Sequence, residues 1–179
     1  QVIAAHKLVL DENGDVLYIS KECFSNGCAA TVDVSYPSIP MYLYYNTELV
    51  KGMLRPIYKF AASDAWKYDF APHDVGRYPI LTGQVYGARQ RAKHQAMGIA
   101  HPPYYLYPAT ADAYLLHRQM PVEESADMLL MVASCGKADG DGLSHADSAE
   151  LTDVFQCGFD GRKGSAGATG DRFGAGRIV

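Results

Sequence analysis

The sequence has no apolar run near the roughly 18 residues that a membrane-spanning helix needs, so it predicts no membrane span. A basic surplus is also missing, because 16 Lys and Arg stand against 20 Asp and Glu, and we expect no nucleic-acid partner. Cysteine is scarce at four residues, and neither C-x-x-C nor H-E-x-x-H occurs. No glycine-rich loop ends in G-K-[ST]. The sequence therefore predicts neither a metal site nor another cofactor.

The remaining composition is that of a globular protein. Apolar residues make up 48% of the 179 residues and charged residues 20%, which predicts one domain or a piece of a larger one. The chain starts at Gln1 directly before the patterned stretch 2–5, without an initiator Met or a signal peptide. We interpret it as the interior of a longer protein. Whether Cys23 and Cys28 form a disulfide stays undecided, because their spacing alone does not settle it.

The first sixty residues predict a β-hairpin followed by two helices. Two apolar runs within 7–20 flank Asn13-Gly14, a strong hairpin signal because both residues tolerate positive φ. Prolines 37 and 40 open a short aromatic helix over 41–45, and Asn46 is a candidate N-cap for a second helix. That helix carries a stripe of 3.6-residue period, with Pro56 inside it as a predicted kink: Leu49, Val50, Met53, Leu54, Ile57 and Tyr58. The two helices predict an αα-hairpin.

The middle of the chain predicts a long functional loop and then a buried helix. Residues 63–111 show little periodicity and hold five prolines, and a loop of that length is usually functional. Helical signal returns over 112–118 and again from Pro121, which suits a first helical position. The run 128–133 is apolar on every side, so we expect that helix to be enclosed on all faces.

The end of the chain differs from the rest. We divide the chain into 1–140, a packed helical region, and 141–179, a glycine-rich tail with glycine at every third position from Gly158 to Gly170. A helix over 145–156 is one possibility within it. The glycine-rich part is interpreted either as disordered low-complexity chain or as the product of a shifted reading frame.

Two irregular polar segments are candidates for binding or catalysis. The first places Glu22, Asn26 and Asp33 in turn-forming sequence, where they either contact a substrate or bond their own backbone. The second places His73 and Asp74 side by side between prolines, as an acid/base or orienting pair or as an ordinary surface loop.

A third candidate lies at the start of the apolar helix. Glu123 and Glu124 occupy its first turn, where burial raises a carboxyl pKa and the helix dipole lowers it. Neighbouring helix residues point about 100° apart, so at most one of the two faces a given centre. The alternative is the ordinary enrichment of acids at helix N-termini.

These segments, in this order, resemble the central catalytic region of the glutaminase A family. The resemblance covers residues 1 to about 140 and rests on A-A-H-K (4–7), S-K-E-C-F-S-N-G (20–27), T-V-D-V-S-Y-P-S (31–38), L-V-K-G-M-L-R-P-I (49–57), A-P-H-D-V-G-R-Y-P (71–79) and Q-M-P-V-E-E-S (119–125). It implies a mainly α fold, part of an (α/α)6 six-hairpin toroid with an N-terminal β-hairpin. It also implies hydrolysis of L-glutamine to L-glutamate and ammonia, in a protein of the extracellular space or cell envelope.

Two departures from the family pattern stand out. Asp127 replaces the Asn that members usually have, and residues 140–179 offer no counterpart of an acidic motif resembling T-D-D-F-A-G. The remaining toroid helices and an upstream β-rich domain of the parent chain are therefore the expected partners. The 179 residues alone are expected to be an inactive fragment, with inner helices left exposed.

The resemblance implies hydrolysis of a small-molecule amide, and because no Ser, Cys or Thr nucleophile signature is apparent, we expect carboxylate-assisted attack by water. Glu123 or Glu124 acts as acid or base with Asp74 as its partner. The predicted substrate-binding residues are Glu22, Asn26, Asp33, His73 and Tyr78. The alternatives are an inactive truncated product and a glycosidase on the same fold, whose sugar substrate would stack on Trp66, Tyr78, Tyr86, Tyr104 and Tyr105.

Overall fold

A computed structural model describes residues 2–22, 26–63, 65–89 and 114–140, and it confirms a mainly helical chain with an N-terminal β-hairpin. The two strands are β1 (His6–Leu10) and β2 (Val16–Ser20), and short 3-10 turns cover Tyr36–Ser38 and Leu116–Arg118. The helices are α1 (Val2–Ala5), α2 (Val32–Ser35), α3 (Ile39–Tyr45), α4 (Thr47–Ala61) and α5 (Pro121–Asp139). Within the described residues, no helix combines the length and the apolar character needed to cross a membrane.

The predicted β-hairpin is confirmed. Its strands pair antiparallel from His6 opposite Ser20 to Leu10 opposite Val16. In the turn, Asp11 Oδ1 accepts hydrogen bonds from the backbone N–H groups of Asn13 (2.8 Å) and Asp15 (2.9 Å). The turn is therefore fixed by one carboxylate as well as by the Asn-Gly pair.

The predicted N-cap of the second helix is also confirmed. Asn46 has extended backbone, and its side-chain oxygen accepts a hydrogen bond from the N–H of Glu48 at 3.0 Å. Asn46 is the one residue between α3 and α4, which form the expected helix pair. The helix continues through Pro56 to Ala61.

The core lies where α4 packs on β2 and α5. The stripe on α4 is largely buried, with Val50, Met53, Leu54 and Ile57 at 4% exposure or less. Gly52 lets the helix approach the strand, because a Cβ there would lie 3.1 Å from the backbone nitrogen of Tyr18. A tight helix-on-strand contact therefore supports the whole N-terminal region.

The expectation that α5 is enclosed on all faces is wrong for the described part of the chain. Met128, Met131 and Val132 are buried against the core, but the side chains of Leu129 and Leu130 are 41% and 48% exposed. Helices α2, α3 and α4 all contact α5 on its buried side. No described part of the chain covers Leu129 and Leu130 as completely as Met128, Met131 and Val132 are covered.

The long loop is irregular as predicted over residues 65–89, and residues 90–113 lie outside the described part. Every residue from 71 to 76 is buried, which is unusual for a loop because its backbone groups must find partners away from water. The sequence predicts helix over 112–118, and the described part of that range contains the 3-10 turn Leu116–Arg118. The glycine-rich tail over 141–179 lies outside the described residues.

We predict that Asn46→Ala lowers the free energy of unfolding by about 1 kcal/mol, because the cap of α4 is lost. Asn46→Asp keeps an acceptor at the same place and should stay close to wild type. Urea unfolding followed by circular dichroism measures both. Equal stability of Asn46→Ala and wild type would show that the cap contributes nothing to the fold.

Candidate active site

The buried loop 71–76 is held in place by the segment 29–32, which leads from β2 into α2. The N–H of Val75 donates to the carbonyl of Ala29 at 3.1 Å, and the N–H of Val32 donates to the carbonyl of His73 at 3.0 Å. These bonds satisfy backbone groups that would otherwise be buried without partners. Backbone hydrogen bonds therefore hold the loop in place, although its sequence has no strand pattern.

Asp74 is the centre of this loop. Its carboxylate is fully buried and accepts from the backbone N–H groups of Gly76 (3.0 Å), Val85 (2.8 Å) and Tyr86 (3.1 Å). A fourth bond, of 2.9 Å, joins it to Nδ1 of His73. Because a carboxylate accepts and does not donate, Nδ1 carries the hydrogen in this pair. Nε2 is therefore the ring nitrogen of His73 that can contact other side chains or a ligand.

His73 is fixed on every side. Its backbone N–H donates to Oε1 of Gln84 at 2.7 Å, and its ring stacks on Tyr86 with 4.2 Å between the centroids. Burial disfavours the charged ring, but the hydrogen bond to Asp74 and the charges of Asp74, Asp33 and Glu22 outweigh it, so the pKa of His73 is raised. Asp74 thus sets both the orientation and the charge of the imidazole.

Glu124 enters the same region from the first turn of α5. The helix begins at Pro121, and it is tied to the loop where the N–H of Ala71 donates to Ser125 Oγ at 3.2 Å. Glu124 is 1% exposed, and neither carboxyl oxygen has a hydrogen-bond partner among the described residues. Burial first, and then the charges of Asp33 and other nearby carboxylates, raise its pKa to about 9. Glu124 is therefore a protonated acid at neutral pH.

Three side chains from distant parts of the sequence meet at one point, which we call the triangle. Its corners are one atom each of Asp33, His73 and Glu124, all within 4.8 Å of one another. His73 Nε2 lies 3.8 Å from Asp33 Oδ1, and that oxygen is buried without a hydrogen-bond partner in the described residues. The triangle offers unused acceptors and one acidic hydrogen to a ligand.

Among the described residues, two groupings of side chains could hold a metal, and both include His73. One is the triangle, and the other combines Cys28 with His73 and Asp74. In the second, His73 Nδ1 and Asp74 are already bonded to each other, so they offer little to an ion. The triangle is the better candidate for any small ligand.

The remaining predicted residues lie apart from this point or are already engaged. Asn26 Oδ1 accepts from the N–H of Cys28 at 2.7 Å, which is the local turn considered as the alternative. Glu22 accepts from Thr31 Oγ1 at 3.4 Å, and its charge reaches His73. Tyr78 is 40% exposed, with the ammonium of Lys21 4.8 Å from its ring centroid. Glu123 is exposed, so Glu124 is the one of the two that faces the triangle.

Sequence reasoning missed Gln84. Its side chain is fully buried and links three parts of the chain, since it accepts from His73 and donates to the carbonyl of Tyr86 and to Oε1 of Gln119, each at 2.7 Å. No periodic or spacing signal marks a lone glutamine in a loop. The role of Trp66 as a sugar platform is wrong, because Trp66 is 5% exposed and its indole nitrogen donates to the carbonyl of Phe70.

Comparison with known proteins agrees with this architecture. The profile of the glutaminase A six helical-hairpin domain matches residues 1–152, and the chain belongs to that family. It is 36% identical over 99 residues to Glutaminase A of Aspergillus oryzae, a match that covers 55% of this chain and 14% of the relative. It is 30% identical over 132 residues to a protein of Arthroderma benhamiae named "Probable glutaminase", covering 73% of this chain and 12% of the relative. No solved structure matches significantly.

We predict that Asp74→Asn lowers the pKa of His73, because the variant removes the charge and the hydrogen bond that favour the imidazolium. The stability that protonation of His73 gives the fold is present at low pH and lost as the pH rises through the native pKa; the variant should lose this part of its pH dependence. NMR titration of the His73 ring measures the change. An unchanged or higher pKa would contradict the role given to Asp74.

Proposed function

We propose that the protein hydrolyses the side-chain amide of L-glutamine to L-glutamate and ammonia. The observation that carries this proposal is Glu124, a buried, unpartnered carboxyl with a pKa raised to about 9, which faces Asp33 and His73. A protonated acid in a polar cluster is what a departing amide nitrogen requires. The names of both relatives support glutamine as the substrate. The matches span 14% and 12% of the lengths of these relatives, so the proposal concerns the full-length protein.

In the proposed reaction, Asp33 positions and deprotonates a water that attacks the amide carbon. The carbonyl oxygen becomes more negative as the new C–O bond forms, and Nε2–H of the protonated His73 stabilises it. Glu124 gives its hydrogen to the nitrogen, the C–N bond breaks, and ammonia leaves. The proton on Asp33 then passes to Glu124, and the acid proton of the new carboxyl group passes to the ammonia, so both protein carboxyl groups return to their starting state. Water thus supplies the oxygen of glutamate and both added hydrogens.

Asp74 acts through His73 in this scheme and is a positioning residue. All four of its hydrogen bonds go to the protein, so it does not reach a substrate. Glu22, Asn26 and Tyr78 remain proposals for the amino-acid end of the substrate. The amide NH2 of Asn26 and the phenol of Tyr78 are suited to a carboxylate, and Glu22 is suited to an ammonium group.

Glu124→Gln should reduce ammonia release from L-glutamine by about 10²-fold to 10⁴-fold, since the amide cannot donate a proton to the leaving nitrogen in place of the acid. Glu123→Gln is the matched control, because it removes the same group from the neighbouring, exposed position, and it should stay within about twofold of wild type. A coupled assay for ammonia on the full-length protein measures both. Full turnover by Glu124→Gln would exclude Glu124 from the reaction.

The pH profile provides a second test of the same residue. Glu124 is active as an acid in its protonated form, so kcat/KM should fall about tenfold per pH unit above the pKa near 9. Below that pKa Glu124 is protonated, so this residue should add no pH dependence to kcat/KM. Measurement of kcat/KM from pH 6 to 10.5 shows the limb directly. Activity that persists unchanged beyond pH 10 would rule out proton donation by Glu124.

One observation favours a glycosidase as the second candidate. One carboxyl oxygen each of Asp33 and Glu124 lie within 4.8 Å of each other, which is closer than the roughly 6.5–9.5 Å of inverting glycosidases, so the pair would suit a retaining glycosidase. The burial of Trp66 removes one of the rings expected to stack on a sugar. A panel of aryl glycosides tested beside L-glutamine separates the two functions. Hydrolysis of a glycoside without ammonia release would replace the amidase proposal.

A further inference from the structure

A pair of glutamine side chains joins the buried loop to the helix that carries Glu124. Gln84 is fully buried, and its Oε1 accepts a hydrogen bond from the backbone N–H of His73 at 2.7 Å. Its Nε2 donates to Oε1 of Gln119 at 2.7 Å, and Gln119 lies two residues before Pro121, where α5 begins. The two amides therefore form one connection from His73 to the start of α5.

The orientation of both amides is determined by their partners. Oε1 of Gln84 faces an N–H donor, whereas its Nε2 faces two acceptors, the carbonyl of Tyr86 and Oε1 of Gln119. Nε2 of Gln119 donates in turn to the carbonyl of Leu115 at 3.3 Å. A rotation of either amide by half a turn would place like groups face to face. Because the oxygen and both hydrogens of the Gln84 amide are used, displacement of the pair would leave a buried polar group unpaired.

The segment 84–88 provides the surface on which the side chain of Gln119 lies. The backbone N–H of Leu115 donates to the carbonyl of Gly87 at 2.8 Å, which brings the chain before α5 against this segment. Gly87 has a φ of +63°, and a Cβ at this position would overlap Nε2 of Gln119. The same segment donates two backbone N–H groups to Asp74. Gln119 is therefore attached to the part of the chain that also holds the Asp74–His73 pair.

Two side-chain hydrogen bonds hold the start of α5 to the loop within the described residues, one on each side of Glu124. Gln119 forms the bond before it, and Ser125 Oγ, which accepts from the N–H of Ala71, forms the bond after it. Glu124 has no hydrogen-bond partner of its own among the described residues. The position of its carboxyl group opposite His73 therefore depends on how the helix is attached.

We propose that the Gln84–Gln119 pair is a positioning element that holds Glu124 opposite His73. The amide of Gln84 is fully bonded to the protein, so this residue acts through its neighbours and does not contact the substrate. The inference rests on the proposed function in that the carboxyl group held in place is the acid of the proposed hydrolysis. A displacement of about 1 Å between reacting groups can cost about a hundredfold in rate, so the pair should affect kcat more than KM.

Gln119→Met in the full-length protein tests this role, because it keeps the length of the side chain and removes both of its hydrogen bonds. It should lower kcat for ammonia release from L-glutamine about tenfold to a hundredfold, with KM within about twofold. Gln119→Glu keeps an oxygen that accepts from Gln84 and should stay within about threefold of wild type. Asn46→Ala, which removes the cap of α4, controls for lost stability and should keep the kcat of wild type.

A measurement without substrate tests the position of Glu124 directly. In carbon-13 NMR, Glu124 should give a carboxyl signal that titrates near pH 9. In Gln119→Met the start of α5 is released and water reaches this carboxyl group, so its pKa should fall by about one unit or more toward the ordinary value of 4.5. Gln119→Glu and Asn46→Ala should not lower it. Loss of stability alone, without movement of Glu124, would leave this pKa unchanged.

The outcomes separate this inference from the proposed function. A wild-type kcat, or an unchanged pKa of Glu124, in folded Gln119→Met would overturn the positioning role. If wild type releases no ammonia, glutamine hydrolysis is overturned, and the pKa of Glu124 in the variants alone decides the positioning role. If circular dichroism shows that Gln119→Met is unfolded, Gly87→Ala takes its place, because the added Cβ displaces the side chain of Gln119.

Discussion

The buried carboxylate of Asp74 is the interaction on which the site depends. A charge taken out of water costs several kcal/mol unless hydrogen bonds replace its hydration, and Asp74 receives four of them. The donors belong to residues 73–76 and 85–86, so one side chain joins two loop segments that have no regular structure to hold them. His73 can be oriented only because this junction is rigid, and the position of its Nε2 opposite Asp33 follows from that.

Glu124 is buried to a similar degree, but no described residue gives its carboxyl group a hydrogen bond. It lies in the first turn of α5, where the helix dipole alone would favour its ionised form, yet burial and neighbouring carboxylates raise its pKa to about 9. Between its ordinary pKa near 4.5 and about 9, the unfolded chain has lost this proton while the folded chain keeps it. Stability therefore decreases with rising pH over that range. Burial and neighbouring carboxylates thus keep Glu124 protonated at neutral pH, although it lies in the first turn of a helix.

The sequence predicted the regular elements because their causes are local. The Asn13-Gly14 turn, the Asn46 cap and the stripe from Leu49 to Tyr58 each depend on residues a few positions apart. The triangle depends on contacts across about ninety residues, and nothing in the sequence around Asp33 shows that it faces Glu124. The pair Glu123-Glu124 was predicted to place one member at the site, but only the packing of α5 decides which. Gln84 was missed and Trp66 was assigned a wrong role for the same reason, because burial inside a loop leaves no periodic pattern in the sequence.

Helix α5 has one buried side and one exposed apolar side. Met128, Met131 and Cys135 are buried on one side, while the exposed Val122, Leu129 and Leu130 follow at i, i+7 and i+8 on another. An apolar stripe at helical spacing is the face that a further helix covers, and a domain of six helical hairpins contains more helices than the described residues do. The triangle, by contrast, takes its three side chains from α2, the buried loop and α5. All three groups therefore come from elements that pack together within the described residues, and helices packed on the exposed stripe would act on the triangle through the position of α5.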